Sequence, residues 1–261
     1  MTTSTLKKLA ALSLVLSSPV ALADWRDDGF LKQEDDPSYN EGYEGADEDD
    51  ESGPGSGFSL GLRAGYGIPF GESIGSERGE GSKLSDAVSG VIPLQVDLGY
   101  FLSSNLYLGA SFQYGLGQLP EDCDSSDLED ASCGVTQLRF GVNLAYHFSP
   151  AAKIDPWLGV GVGYESLSLN SSGEVLGSSI DASSSVSGFE FINAQGGVDF
   201  RISDKVSVGP FATVTVAQYS KAGIKVDVEG DSPLDVDESD DIEEKAIHTW
   251  LYGGARLQVR F

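Results

Sequence analysis

The sequence has few of the residues that build catalytic and metal centres. It contains two histidines, two cysteines and one methionine in 261 residues. Nucleophilic and metal sites usually need several Cys or His side chains, so the sequence offers few candidates for such a site. Basic residues are also scarce, with 16 Lys and Arg against 41 Asp and Glu. The resulting net charge of −25 argues against nucleic acid as a partner, because phosphates would be repelled.

Long apolar runs are missing as well. A helix needs about 20 apolar residues to span a bilayer, and no segment reaches that length, which excludes a helical membrane protein. The short apolar run at residues 9–16 follows Lys7 and Lys8, and Ala21-Leu22-Ala23 comes after it. This pattern predicts a signal peptide over residues 1–23, cleaved after Ala23.

The segment that follows is acidic. In residues 24–56 acids outnumber bases thirteen to two, and no apolar period is present. Such a composition cannot bury enough surface to offset the entropy of ordering. We expect a disordered acidic leader that ends in a flexible linker, SGPGSG, at residues 52–57.

From residue 57 onwards, apolar and polar residues alternate, which indicates β-strands with one apolar face. In the first segment Phe58, Leu60 and Leu62 alternate with serine, glycine and arginine. Eight segments share this pattern. They are residues 58–70, 92–102, 106–115, 137–148, 158–165, 192–202, 206–216 and 247–261.

The connections between these segments alternate in length. The short ones are residues 103–105, 149–156 and 203–205, and the long ones are 71–90, 117–134, 167–188 and 219–246. Outer-membrane barrels have short periplasmic turns and long extracellular loops. The pattern therefore places the start of the first strand and the end of the last strand on the periplasmic side. The leader, which precedes the first strand, lies on the same side.

Two all-β folds fit alternating strands. A soluble β-sandwich would carry charge on its solvated face, whereas the polar face here is rich in Gly, Ser, Gln and Asn, which suits a narrow interior. The sequence therefore favours an all-β fold, an eight-stranded antiparallel up-and-down transmembrane β-barrel over residues 57–261, in the outer membrane of a Gram-negative cell.

The barrel sequence resembles the small outer-membrane barrels of the OmpA, OmpX and OmpW superfamily. The last strand, TWLYGGARLQVRF, has Leu257, Val259 and a terminal Phe261, which resemble the signal that the outer-membrane assembly machinery reads. PWLGVGVGY and VGPFATVTVAQYS are similar to strands of OmpW-type proteins. The resemblance implies outer-membrane lipid and lipopolysaccharide as surroundings, and a narrow barrel that passes small or apolar molecules. Other members of the superfamily anchor or adhere.

Charged residues occur on the face that would line the barrel. By position along the strands, Arg63 is level with Asp97 and Arg139 with Glu165. Three more arginines and one acid are expected near the periplasmic end: Asp199, Arg201, Arg256 and Arg260. Because unpaired buried charge is costly, we expect ion pairs that constrict the lumen and leave little or no steady conductance.

Two prolines suggest where an apolar solute could leave. Pro69 and Pro93 lie near the outer ends of the first two strands, and each removes a hydrogen-bond donor. We predict that apolar cargo enters at the outer mouth and leaves sideways there. The ordinary alternative is that these prolines end strand pairing at the rim.

No catalytic residue is assigned, and we expect no enzyme. His147 lies near the periplasmic end of its strand and His248 near the outer end of another, so they cannot act together. His248 could serve as a base, but the ordinary interpretation is a rim histidine bonded to the acidic loop before it. GVGVGY does not match a nucleotide-binding fingerprint, and no cofactor is expected.

Two further features concern the extracellular loops. Cys123 and Cys133 are close in an exported chain and predict a disulfide. One loop is crowded with acids that could bind divalent cations, although it lacks a known ligand spacing and could equally be a solvated loop. They are Asp227, Glu229, Asp231, Asp235, Asp237, Glu238, Asp240, Asp241, Glu243 and Glu244.

Two functions remain. One is a narrow barrel that passes small or apolar solutes. The other is a structural or adhesive surface protein with acidic extracellular loops.

Overall fold

The computed structural model describes residues 55–76, 81–120, 129–175, 178–228 and 236–261. The predicted signal peptide, almost all of the acidic leader, and Cys123 lie outside these residues. The strands are β1 (Gly57–Ile74), β2 (Ser82–Lys83), β3 (Gly90–Phe101), β4 (Leu106–Gln118), β5 (Glu129–His147), β6 (Ile154–Val175), β7 (Ser178–Arg201), β8 (Val206–Val228), β9 (Val236–Asp241) and β10 (Ile247–Arg260). One short helix, α1, covers Leu84–Ala87.

Eight of the described strands close a ring. Its order is β1, β3, β4, β5, β6, β7, β8 and β10, and β10 pairs with β1 again. All neighbours in the ring are antiparallel. The predicted up-and-down barrel is therefore confirmed. Among the described residues, no helix has the length and apolar character needed to cross a membrane.

The alternation of the sequence separates the two faces of the wall. On β6, Leu158 is 60% exposed whereas the adjacent Trp157 is 1% exposed. The same holds around the ring, where exposed Leu, Val, Phe and Tyr side chains face outward and Arg, Asp, Gln and Asn side chains are buried inside. An apolar outside around a polar inside is the reverse of a soluble protein. The sandwich alternative is therefore wrong, and the chain is a transmembrane β-barrel.

The strands extend beyond what a membrane crossing requires, most of all β5, β6, β7 and β8. These four have 19, 22, 24 and 23 residues, while a tilted strand crosses a bilayer in about 9–11. We call the part beyond the apolar belt the extracellular sheet; it comprises residues 129–136, 166–175, 178–187, 221–228 and 236–241. The predicted long connections 167–188 and 219–246 are thus largely strand. Alternation is present only in short stretches, such as Ser166 to Leu169 and Ile224 to Val228, and runs of serine and glycine between them resemble loops.

The first long connection, residues 71–90, also folds back on the barrel. Gly71 has a φ of +87°, which favours glycine, where β1 approaches its outer end. Beyond it β2 pairs with β1, and α1 follows. Leu84 and Val88 at the two ends of this helix are fully buried, so the segment enters the outer mouth.

The opposite end of the barrel has short turns at residues 102–105, 148–153 and 202–205, close to the predicted short connections. Side chains fasten them: Asn105 donates from its amide to the carbonyl of His147 over 2.7 Å, and the backbone N–H of Ser149 donates to Asp155 over 3.0 Å. Gly57 and Arg260 lie at this end too. The short-turn end is the periplasmic end in barrels of this kind.

Candidate functional site

Arg63 occupies the centre of the bore. Its Nε lies 2.6 Å from the Asp97 carboxylate, and its Nη1 donates to Gln195 over 2.6 Å. Asp97 also accepts from Gln95 at 2.7 Å. The structure thus brings together the pair that the sequence placed at one level, and it adds a bond from β1 to β7.

Arg139 has one expected and one unexpected partner. Glu165, the expected one, lies 3.7 Å from Nε. Glu190 is closer: Nε donates to it over 3.0 Å, and Nη2 contacts the same oxygen. The sequence analysis missed Glu190 because a bulge between Glu190 and Ile192 shifts the alternation of β7. Without the bulge, the Glu190 side chain would point outward, away from the side chains of Asn193 and Gln195.

His248 pairs with Glu165 inside the barrel. Its Nε2 lies 2.5 Å from Glu165 Oε1, and both side chains are fully buried. The Tyr219 ring stacks on the imidazole with centroids 4.0 Å apart. The expectation of a rim histidine bonded to the acidic loop is therefore wrong. The loop was adjacent in sequence, but β6 supplies the carboxylate.

Neutral side chains connect the Arg63–Asp97 pair with the group formed by Arg139, its two glutamates and His248. Gln195 donates to Asn143 over 3.0 Å, and Asn193 donates to Glu190 over 2.8 Å. Gln195 also reaches Asn193 over 3.3 Å. The result is one chain of contacts from Asp97 to His248, which we call the central network. Its members are Asp97, Arg63, Gln195, Asn193, Glu190, Arg139, Glu165 and His248.

The periplasmic end has a second layer of charge. Arg256 Nη2 lies 3.6 Å from Asp199 and contacts Gln258, and its guanidinium stacks 4.3 Å from the Trp157 ring. The sequence predicts Arg201 in the same layer. Instead Arg201 is partly exposed and donates to the carbonyl of Ala151 over 3.1 Å, so it belongs to the rim.

Arg260 lies nearer the periplasmic opening of the barrel. Its Nη2 is 3.9 Å from Asp155, and its guanidinium sits 3.4 Å from the Phe101 ring centroid. Asp155 also pairs with His147 at 2.7 Å. The two histidines of the chain thus each contact a carboxylate, at opposite ends of the barrel. Sequence reasoning missed Asp155 as an interior acid, because it lies inside a segment predicted to be a turn.

Glycines of the interior make room for aromatic rings. A Cβ on Gly109 would overlap the Tyr107 hydroxyl, and one on Gly197 would lie 3.0 Å from the Trp157 indole. These glycines therefore do not leave the bore open. Between Arg63 and Arg139 the remaining cavity is about 30 Å³, room for a water or two.

Apolar side chains fill the outer half of the bore around the charged residues, and we call them the apolar plug. Trp250 and Tyr252 of β10 stack with ring centroids 5.8 Å apart. Other buried members come from the mouth segment, from β3, β5 and β6, and from the residue that follows β9: Leu84, Val88, Val91, Val135, Leu167 and Ile242. Charged pairs and apolar packing therefore close the lumen together.

An apolar cavity opens above the plug, on the inner face of the extracellular sheet. It measures about 370 Å³, and Leu119, Leu169 and Ile224 line it. Leu119 and Leu169 also pack against the plug. The cavity and the plug therefore form one continuous apolar interior.

Pairing between β1 and β3 is interrupted without a shift of register, and we call this interruption the gap. Ala64 pairs with Leu94 and Gly67 with Val91, but the two positions between them on each strand are unpaired with the other strand. Pro93 lies in this gap, and Val91 of the plug borders it. Since pairing resumes beyond the gap, Pro93 interrupts the ladder rather than ending it. Pro69, by contrast, lies past the last β1–β3 pair.

Outside the gap a side chain spans β3. The Tyr66 hydroxyl of β1 donates to the Gln118 side chain of β4 over 2.9 Å. Gly90 of β3 lies beneath it, where a Cβ would overlap the hydroxyl. Tyr66 therefore acts as a strap across the interruption.

The acidic loop is only partly described. Glu229, Asp231 and Asp235 lie outside the described residues, while Asp237, Glu238, Asp240 and Asp241 are exposed on β9. Within the described ranges, no group of three or more acids, histidines or cysteines is arranged to hold a metal ion. Divalent cation binding at this loop stays a prediction.

The disulfide and the assembly signal also stay predictions. Cys133 lies on β5 in the extracellular sheet, but its expected partner Cys123 is outside the described residues. At the other end of the barrel, the Phe261 side chain is 70% exposed, and its N–H donates to the Phe58 carbonyl over 2.9 Å. Phe261 thus completes the seam between β10 and β1.

No protein-family model and no curated protein matches the sequence. Among solved structures, the chain is similar to Neisserial surface protein A at 15% identity, over 80% of this chain and 99% of that one, with a TM-score of 0.44. Pseudomonas aeruginosa OprG shows 15% identity over 80% and 98%, with a TM-score of 0.42. A major outer membrane protein of Thermus thermophilus shows 14% over 79% and 99%, at 0.46.

The architecture identifies the class of protein without these similarities. The barrel has an even number of strands, short turns at one end, long strands at the other, and an apolar belt around a polar interior. This combination is that of outer-membrane β-barrels. The protein is an outer-membrane β-barrel.

Proposed function

We propose that the barrel transfers small apolar solutes from outside the cell into the outer membrane. A solute would enter the cavity beside Leu169 and Ile224, move through the apolar plug, and leave sideways between β1 and β3. The observation that supports this most is the continuity of the apolar interior. It extends from the 370 Å³ cavity to Val91, at the edge of the gap.

Passage straight through the bore is unfavourable for the same solute. Below the plug it would meet the Arg63–Asp97 pair and a cavity of about 30 Å³. Breaking a buried ion pair without replacing its partners costs several kcal/mol, and an apolar solute offers no such partner. The gap lies on the outer side of the Arg63–Asp97 pair on β1, so a solute that leaves there does not cross that pair, and Tyr66 is the strap that must move.

A reversible cross-link tests the exit. Tyr66 and Ile92 would face each other in the continued register and are both exposed to lipid, so Tyr66→Cys with Ile92→Cys should form a disulfide across the gap. Cells carrying this variant should take up an apolar fluorescent dye no faster than cells without the protein. Reduction of the cross-link should restore uptake.

The matched control is Leu60→Cys with Leu98→Cys, a pair on the same two strands where the ladder is intact. Cross-linking there should leave dye uptake unchanged. Equal uptake by the oxidised gap variant and the control would contradict sideways release. If the wild-type protein also gives no uptake above background, a structural or adhesive role of the extracellular sheet is favoured instead.

A further inference from the structure

The outer surface of the barrel changes character at one level. On β6, Val162 and Tyr164 face outward, and the next residues with the same parity are Ser166, Ser168 and Asn170. On β7 the outward face likewise changes from Phe189 to serines. The outward face of the extracellular sheet is therefore a direct upward continuation of the lipid-facing belt, but polar.

Strand register aligns polar side chains on this face. Asn170 lies opposite Ser183, and Ser172 lies opposite Asp181. On the other side of β7, Lys225 of β8 lies opposite Ser183. Amide, hydroxyl, carboxylate and ammonium groups thus share one side of three adjacent strands.

These rungs form a groove of about 520 Å³. Asn170, Ser172, Asp181 and Ser183 lie in its lining, and the Lys225–Asp227 ion pair, 2.8 Å long, flanks one side. The described lining contains no aromatic residue, and apart from Lys225 its side chains are short. Its groups both donate and accept hydrogen bonds, which matches a ligand made of hydroxyl groups.

The position of the groove limits the source of such a ligand. Asn170 is six residues beyond Tyr164, about 20 Å along the strand. Lipids whose acyl chains contact Tyr164 therefore have their headgroups below and in front of the groove. A small headgroup would not reach it, whereas one of several sugar units would.

The charge of the groove limits the chemistry further. Two carboxylates, Asp181 and Asp227, face one ammonium group from Lys225. A phosphorylated sugar would be repelled by this balance, while the hydroxyl groups of neutral sugars can donate to both carboxylates.

We propose that this groove binds the neutral oligosaccharide headgroup of a glycolipid in the outer leaflet around the barrel. The glycolipid is held at two places, by its acyl chains on the apolar belt and by its sugars in the groove. By strand register the polar side chains of the groove face outward, although Asn170 and Ser183 also border the apolar cavity. Retention of a glycolipid in a nanodisc involves no passage through the barrel, so it is measured separately from the transfer proposed above.

The test uses the purified full-length protein in nanodiscs that contain a glycolipid with a neutral oligosaccharide headgroup. Native mass spectrometry across a series of glycolipid fractions gives the retained glycolipid and an apparent Kd. The double variant Asn170→Ala with Asp181→Ala should bind about tenfold more weakly, as loss of two hydrogen-bonding groups implies. Ser183→Phe, which fills the groove, should abolish retention.

The control is Ser184→Ala, on the inner face of the same strand, which should bind like the wild type. Faster migration of unboiled than of boiled samples verifies that every variant is folded. Equal retention of the same lipid without sugars, or wild-type binding by both groove variants, would overturn the proposal. So would equally tight binding of the free oligosaccharide, since the ligand would then be a soluble glycan.

Discussion

Arg63 on β1 donates a 2.6 Å hydrogen bond to Gln195 on β7, 132 residues further along the chain. In the ring, β10 and β8 separate these two strands. The bond therefore crosses the bore instead of following the wall. It bridges the lumen beside the cavity of about 30 Å³.

Removal of the central ion pair alone should not open the bore, because the apolar plug still closes it. Arg63→Ala with Asp97→Ala deletes two opposite charges together, so no buried charge is left unpaired. We expect little or no steady current in planar bilayers from the wild type or from this double variant, and a steady current when Trp250→Ala and Tyr252→Ala are added to it. Arg201→Ala, at the rim, should behave like the wild type. Large, stable currents in the wild type would show that the lumen is not constricted.

The Glu165 carboxylate should be important for stability. It contacts both His248 and Arg139 without exposure to solvent, and removing one partner of a buried pair costs about 3–5 kcal/mol. Glu165→Ala should lower the free energy of unfolding by an amount in that range, measured by urea unfolding in lipid vesicles. Glu238→Ala, an exposed acid on β9, should change it by less than about 0.5 kcal/mol. A loss this small at Glu165 would contradict the pairing.

Cys123 and Cys133 should be joined in the exported protein, because its compartment is oxidising. Without reducing agent, neither thiol should react with an alkylating reagent in unfolded samples. After reduction both should react. Two reactive thiols before reduction would contradict the disulfide.

Phe261 should matter for assembly. Phe261→Ala should reduce the amount of folded barrel in outer membranes at native expression, because it alters the predicted assembly signal and the residue next to the β10–β1 seam. Leu62→Ala, an apolar change on the lipid face of β1, serves as the control. Normal yield of the Phe261 variant would argue against the signal.

Residues 24–56 should be dispensable for folding of the barrel, since their composition gives them no core to join. A fusion of the signal peptide to residue 57 should still run faster unboiled than boiled, because a closed barrel resists detergent unfolding. Loss of that shift would show that the leader contributes to the fold.

The alternation predicted the barrel well because each membrane-crossing segment has one face in lipid. The same alternation aligned Arg63 with Asp97, because β1 and β3 have no bulge between the periplasmic end and these residues. It failed for Glu190, where a bulge changes the parity of β7, and for Arg201, which lies at the rim where β7 ends. Neither a bulge nor the exact end of a strand leaves a clear local sequence pattern.

The acidic strand β9 has a consequence for neighbouring molecules. It is the last strand in the order of the described sheet, so one row of its backbone groups faces outward, open to pairing with a strand of another molecule. Five of its six residues, all but Val236, are acids or serine, and all six are exposed. In a crowded membrane two such edges would bring like charges together. Repulsion therefore opposes strand pairing between neighbouring molecules at this edge.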